Sequence, residues 1–119
     1  MKEPIDRMRE RTKQFALRVV AMYDALPDRR PAQTMGYQAL RAGTSVGAQY
    51  REACRSRSDA ELISKLESIL QELDETSYWL ELLVESKVTS AKKMSALISE
   101  ADELTRMFVS AVMSIKKRR

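Results

Sequence analysis

LISKLESILQELDETSYWLELL, residues 62–83, carries apolar residues at alternating intervals of four and three positions. This spacing returns side chains to one face of an α-helix, so the segment predicts a long amphipathic helix. A second apolar stripe repeats every seven residues beside the first, and a stripe of that width contacts more than one neighbouring helix. Ser58 and Glu61 form an S-x-x-E capping box, from which we expect the helix to run to about Ser86.

Three further segments show the same helical spacing, and the sequence contains no sustained strand alternation. They cover about residues 4–26, about residues 34–54, and a segment that follows a cap at Thr89 or Ser90 and continues to about Ile115. Four helices of about 20–29 residues with short connections predict an all-α fold, an antiparallel up-down-up-down four-helix bundle.

Length and composition narrow the class of protein. At 119 residues the chain suits a single domain, residues 1–119, with a basic tail at residues 116–119. Cys54 is the only cysteine, which excludes an internal disulfide and fits a reducing cytosol, and histidine is absent. No apolar run is long enough to span a membrane, and the first ten residues lack an apolar signal core. We therefore expect a cytoplasmic, non-enzymatic protein without a cofactor, a metal or a membrane partner.

The net charge of +4 conceals a strong asymmetry along the chain. Residues 1–57 contain 12 Lys/Arg and 6 Asp/Glu, whereas residues 58–115 contain 5 Lys/Arg and 11 Asp/Glu. The tail KKRR adds four positive charges. A basic half and an acidic half in one small protein indicate either self-association or an anionic partner on one side.

The three glycines, Gly36, Gly43 and Gly47, lie on one stripe of the second helix. A phosphate-binding loop would place glycines at a strand-to-helix turn followed by Lys and Ser or Thr, and this pattern is missing from the sequence. In a helix interior each glycine costs up to about 1 kcal/mol relative to alanine, so we interpret Gly43 and Gly47 as points of close helix approach, within the chain or between subunits. Cys54 ends the same stripe, and we expect it to be a small core residue.

Basic side chains form three groups that suit phosphate contacts. Arg51 and Arg55 share a helix face and Arg57 follows them, while Arg7 and Arg11 share the exposed side of the first helix. The third group is the tail, which consists of Lys116, Lys117, Arg118 and Arg119. Arginine offers phosphate a planar donor fork, so these residues are our candidates for nucleic-acid binding. The alternative interpretation is a solvated surface of salt-bridged side chains.

Acidic and aromatic residues of the third helix lie away from its main apolar stripe. A dinuclear metal site in a helical bundle usually needs Glu-x-x-His on facing helices, so we interpret the carboxylates as solvated or interface residues. Glu75, Tyr78 and Trp79 lie close together in sequence, and a large aromatic residue off the stripe is typical of a subunit contact. These three residues join Gly43 and Gly47 as candidates for an oligomer interface or for helix packing.

Two runs of sequence resemble the signatures of one protein family, QALRAGTSVGAQYREACRSRS at residues 38–58 and the segment at residues 62–83. This is the 23S rRNA-intervening-sequence protein family, also called the S23 or four helix bundle protein family. Its first signature is S-[IV]-x-x-N-I-x-E-[GA], which is matched at Ser45, Val46, Glu52 and Ala53. Its second is E-[AT]-x-E-[TS]-x-[YF]-W-L-x-L-L, which is matched at Glu72, Glu75, Thr76, Tyr78, Trp79, Leu80, Leu82 and Leu83.

The sequence departs from the first signature at three positions. Gln49 stands where the family usually has Asn, Tyr50 where it has Ile, and Gly47 where Ala or Ser is common. These departures leave the predicted fold unchanged but alter the polar contacts expected around Gln49.

The resemblance implies an antiparallel bundle that assembles as a homopentamer with a basic surface, and it implies no enzymatic activity. Some relatives are encoded inside insertions in 23S rRNA genes, which implies a role with RNA. A related bundle is the accessory protein of diversity-generating retroelements, which binds reverse transcriptase and nucleic acid. The opposite charges on the two halves of the chain would suit heterologous packing into a closed ring.

The sequence therefore favours an oligomeric four-helix bundle that binds RNA or DNA through phosphate contacts that do not depend on base sequence. The alternative is a protein-interaction scaffold or accessory subunit. In that case the charges serve homo-oligomer assembly and an unknown protein partner.

Overall fold

The computed structural model describes residues 2–118, with side chains described from Pro4 to Arg118. The described chain forms four α-helices joined by connections of five residues each. They are α1 (Lys2–Asp24), α2 (Arg30–Ala53), α3 (Asp59–Glu85) and α4 (Ala91–Lys117). Successive helices pack side by side in a body of 48 × 21 × 21 Å, so the chain runs antiparallel at each connection. The predicted all-α four-helix bundle is confirmed.

The predicted caps are confirmed, and one helix begins earlier than expected. Ser58 accepts a hydrogen bond from the Glu61 N–H, and Ser90, not Thr89, caps α4 by accepting one from the Lys93 N–H, both at 3.1 Å. Helix α2 begins four residues before the expected position because Pro31 occupies its first turn, where a missing N–H leaves no hydrogen bond unmade.

The core follows the predicted apolar stripes in α1, α3 and α4, whereas in α2 the fully buried side chains of Ala39, Ala42 and Val46 lie beside the predicted stripe of glycines. The largest fully buried apolar side chains are Phe15, Phe108, Ile69, Leu73, Leu80, Leu83, Leu104, Val19 and Val46. Two threonines are also fully buried within these stripes. Their hydroxyls donate to main-chain carbonyl oxygens one turn back, Thr12 to Met8 at 2.9 Å and Thr76 to Glu72 at 2.7 Å. Because both hydroxyls are satisfied within their own helices, they do not disrupt the core.

The glycine stripe of α2 faces α1 of the same chain. A Cβ atom added to Gly43 would lie 2.9 Å from the nearest methyl group of Val19, whereas one added to Gly47 would come no closer than 3.4 Å to Thr12. The Val19 side chain therefore fills the space beside Gly43, whereas Gly47 lies against the backbone of Thr12, and a Cβ on Gly36 would collide with the side chain of Leu26.

The expectation that Cys54 lies in the core is wrong. Helix α2 ends at Ala53, which is 2% exposed, and Cys54 is the exposed C-cap residue that follows it. The apolar spacing persists in the sequence beyond the last helical residue, but there the chain turns away from the core.

Helices α1 and α4 contact each other least among the packed helix pairs. One ion pair bridges them: Arg11 Nε and Nη2 donate to the two carboxylate oxygens of Glu100, each at 2.8 Å. The remaining guanidinium nitrogen of Arg11, Nη1, lies 3.2 Å from the sulfur of Met107. The seam between α1 and α4 opens into grooves toward both ends of the bundle, with this ion pair between them.

We expect the Arg11–Glu100 pair to make stability depend on pH. The hydrogen bond from Arg11 holds the pKa of Glu100 below its ordinary value. A carboxyl whose pKa is lower when folded stabilises the protein above its unfolded-state pKa, and this stabilisation is lost as pH falls through the folded-state pKa. Glu100→Gln should lower the free energy of unfolding by about 1 kcal/mol at pH 7 and by progressively less in acid. Urea unfolding of both proteins across pH tests this, and a difference independent of pH would contradict it.

Candidate nucleic-acid interface

The antiparallel topology gathers the candidate basic residues at one end of the bundle. The first turns of α1, the last turns of α2 and α4, and the connection between α2 and α3 all lie there. We call this region the basic end and define it by Arg7, Arg51, Arg55, Arg57 and Lys117, all of which are exposed. Residues separated by more than 60 positions in sequence thereby share one surface.

Three of these arginines project into solvent without an internal carboxylate partner. Within residues 4–118, the guanidinium groups of Arg51, Arg55 and Arg57 make no ion pair. The acidic neighbour of Arg51, Glu52, is itself paired, since its carboxylate accepts from Lys65 Nζ at 3.0 Å. This part of the surface therefore keeps its positive charge available to an anion.

Other candidates are engaged within the chain. Arg11 is held in the α1–α4 seam by Glu100, Lys116 Nζ lies 3.4 Å from a carboxylate oxygen of Glu67, and Arg118 donates to Asp59 at 3.0 Å. The Asp59 carboxylate also raises the pKa of Arg118, first through this hydrogen bond. Arg119 lies outside the described residues. Arg51, Arg55 and Arg57 are therefore available to an external anion, whereas Arg11, Lys116 and Arg118 connect helices through ion pairs.

The seam between α2 and α3 carries polar contacts at two of the resemblance positions. Gln49 Nε2 donates to Glu72 Oε2 at 3.2 Å, whereas Gln49 Oε1 and Glu72 Oε1 are buried without a hydrogen-bond partner in the described structure. Arg41 Nη2 donates to Glu75 at 2.9 Å. Gln49 therefore keeps a polar contact between α2 and α3 where the family usually has Asn.

The aromatic candidates lie on the outer surface of α3. Tyr78 is 53% exposed, and its ring packs edge-to-face against half-buried Trp79 with the centroids 5.1 Å apart. Together with Glu75 they line a shallow surface depression. A large exposed ring supported by a second ring is a suitable contact surface for another protein chain.

The described residues offer neither a metal-binding cluster nor a membrane-spanning helix. The described part of the chain contains no cluster of three or more His, Cys, Asp or Glu residues placed to hold a metal ion. No helix within residues 2–118 has the length and apolarity needed to cross a membrane.

Fold and charge together define a class: an antiparallel helical bundle that presents at one end three exposed arginines without an ion pair among the described residues. A family model described as "23S rRNA-intervening sequence protein" matches residues 7–110. The chain belongs to this family, which confirms the resemblance found in the sequence.

The chain is also similar to a crystal structure from Bacteroides thetaiotaomicron VPI-5482, described as a protein with unknown function from the S23 ribosomal protein family. The two share 34% sequence identity with a TM-score of 0.82, over 87% of this chain and 96% of that chain. Among curated proteins, none matches this chain.

Proposed function

We propose that this protein is a non-enzymatic, oligomeric nucleic-acid-binding bundle whose basic end contacts RNA phosphates. The observation that carries the proposal is the group of three exposed arginines, Arg51, Arg55 and Arg57, whose guanidinium groups make no ion pair in the described structure. RNA is favoured over DNA by the family description, which refers to an intervening sequence of 23S rRNA.

The geometry favours phosphate contacts rather than reading of bases. Arg51 lies in the last turn of α2, but Arg55 follows the C-cap residue Cys54, so the prediction that the two arginines share a helix face is wrong; they are instead neighbours at the helix end. A guanidinium binds phosphate through two parallel donors, so neighbouring arginines can contact successive phosphates of a strand. Phosphate contacts position a nucleic acid without selecting its sequence, so binding should depend on charge more than on base order.

Self-association would strengthen such a small binding site. The exposed Tyr78 ring and the opposite charges on the two halves of the chain support assembly through unlike surfaces, which closes into a ring when the rotation permits. The resemblance to the S23 family supports five subunits. Repeating the basic end in each subunit would convert weak single contacts into avidity.

Binding across a salt series, with the particle mass measured in the same buffers, tests the proposal. The probes are a fluorescent RNA hairpin and a DNA duplex of matched sequence. We expect the logarithm of the binding constant to fall linearly as the logarithm of the salt concentration rises. On a duplex, the slope of this line should be about −0.9 for each phosphate contacted. A pentamer would have five times the 13.6 kDa mass of one chain.

The competing function is a protein-interaction scaffold, favoured by the exposed ring of Tyr78. A stable assembly that retains neither probe at low salt would contradict nucleic-acid binding and support the scaffold. A particle with the mass of one chain would contradict the assembly part of the proposal alone.

A further inference from the structure

The seam between α1 and α4 opens at the basic end into a groove of about 540 Å³, which we call the basic-end groove. Its lining is mainly apolar and is supplied by all four helices, among them Met8, Leu62, Leu66, Phe108, Ala111 and Ile115. Leu66 and Phe108 are core residues, so the groove reaches from the surface into the bundle interior. Its volume lies within the range of small-molecule sites.

Two polar groups of the α2–α3 connection lie at this groove. Ser56 lines it, and its hydroxyl oxygen is shielded from solvent without a hydrogen-bond partner in the described structure. Arg57 also lines it, and its guanidinium has no carboxylate partner among the described residues. Arg118, at the same groove, is already neutralised by Asp59. Because the Ser56 oxygen is shielded, Arg57 is the polar group available to a ligand, and an unmatched cation beside an apolar slot complements an anionic group attached to an apolar tail.

We propose that the basic-end groove binds a single-chain amphiphilic anion of the fatty-acid class. The alkyl tail lies along the apolar lining, and the carboxylate accepts hydrogen bonds from the Arg57 guanidinium. A linear chain suits the site because the volume is that of a small-molecule site and a flexible alkyl tail can follow a lining supplied by four helices. Methionine at the groove adapts its shape to a flexible tail.

Calorimetric titration with dodecanoate below its micelle concentration tests this site on the full chain. We expect saturable binding of one molecule per chain, with a dissociation constant of about 10 µM. Dodecanol has the same tail without the carboxylate and should bind at least about tenfold more weakly. Cys54 also lines the groove, so bound dodecanoate should slow its alkylation several-fold. Absence of saturable binding, or equal affinity for the alcohol, would overturn the proposal.

Variants separate this site from nonspecific binding. Ala111→Phe places a ring in the groove and should abolish binding, and Arg57→Ala should weaken it about tenfold. Arg55→Ala is the matched control, because it removes an exposed arginine that does not line the groove, and it should change affinity less than twofold. Circular dichroism checks that each variant is folded. If Ala111→Phe altered particle mass and left dodecanoate binding unchanged, a second copy of the chain would be the occupant, and the proposal would be wrong.

This inference does not rest on nucleic-acid binding. The RNA affinity of Ala111→Phe should equal that of the unmodified protein, since Ala111 contributes no charge. Failure of one proposal can therefore be told from failure of the other.

Discussion

Replacement of both Arg51 and Arg55 by glutamate is expected to weaken RNA binding about 30- to 100-fold at low salt. Each reversal removes a charge-assisted phosphate contact and adds repulsion, and a loss of about 2–3 kcal/mol corresponds to that change in affinity. The slope of log affinity against log salt should fall by nearly 2 because two phosphate contacts are lost. The effect should be the same for RNA hairpins of different sequence, since phosphates carry no base information.

The opposite end of the bundle provides a matched control. Arg29 and Arg30 are exposed at the start of α2, far along the bundle axis from Arg51 and Arg55. Replacing both Arg29 and Arg30 by glutamate gives the control the same net charge as the Arg51 and Arg55 double variant. Acidic residues at a helix N-terminus interact favourably with the helix dipole, so the control should remain folded. We expect the control to retain RNA affinity within about threefold. Equal losses in both double variants would show that net charge, and not the basic end, governs binding.

The second large effect is expected from two alanine substitutions in α2. Gly43→Ala should destabilise the bundle by about 1–3 kcal/mol, because the new Cβ would collide with Val19, a stiff β-branched residue. Gly47→Ala should stabilise it by up to about 1 kcal/mol, since the added methyl meets Thr12 at an ordinary contact distance and alanine is the better helix former. Urea unfolding monitored by circular dichroism measures both.

A double variant tests the cause assigned to Gly43. Val19→Ala removes the methyl groups that the new Cβ would meet, so Gly43→Ala should cost less in that background than alone. Strict additivity of the two changes would show that Gly43 is constrained by something other than α1. A destabilisation that varied with protein concentration would indicate a contact between subunits.

Helix boundaries, caps and buried faces were largely predictable from the sequence because each depends on residues within one or two turns. Ser58 caps α3 through the N–H of Glu61, three positions away. The error at Cys54 has the same origin, since apolar spacing carries no information on where the last helical hydrogen bond is made. Family membership could also be predicted from the sequence, because each of the two signatures is a continuous segment of the chain.

The sequence by itself determined four amphipathic helices, their antiparallel order and a basic first half of the chain. Only the tertiary structure decided which arginines are available. Arg11 is paired with Glu100, 89 positions away, and Arg118 with Asp59, 59 positions away, whereas Arg51 meets no carboxylate in the described structure. The basic-end groove likewise depends on how far apart two helices from opposite ends of the chain lie. Ion pairs and grooves between helices arise from packing distances and axial register, which local periodicity does not encode.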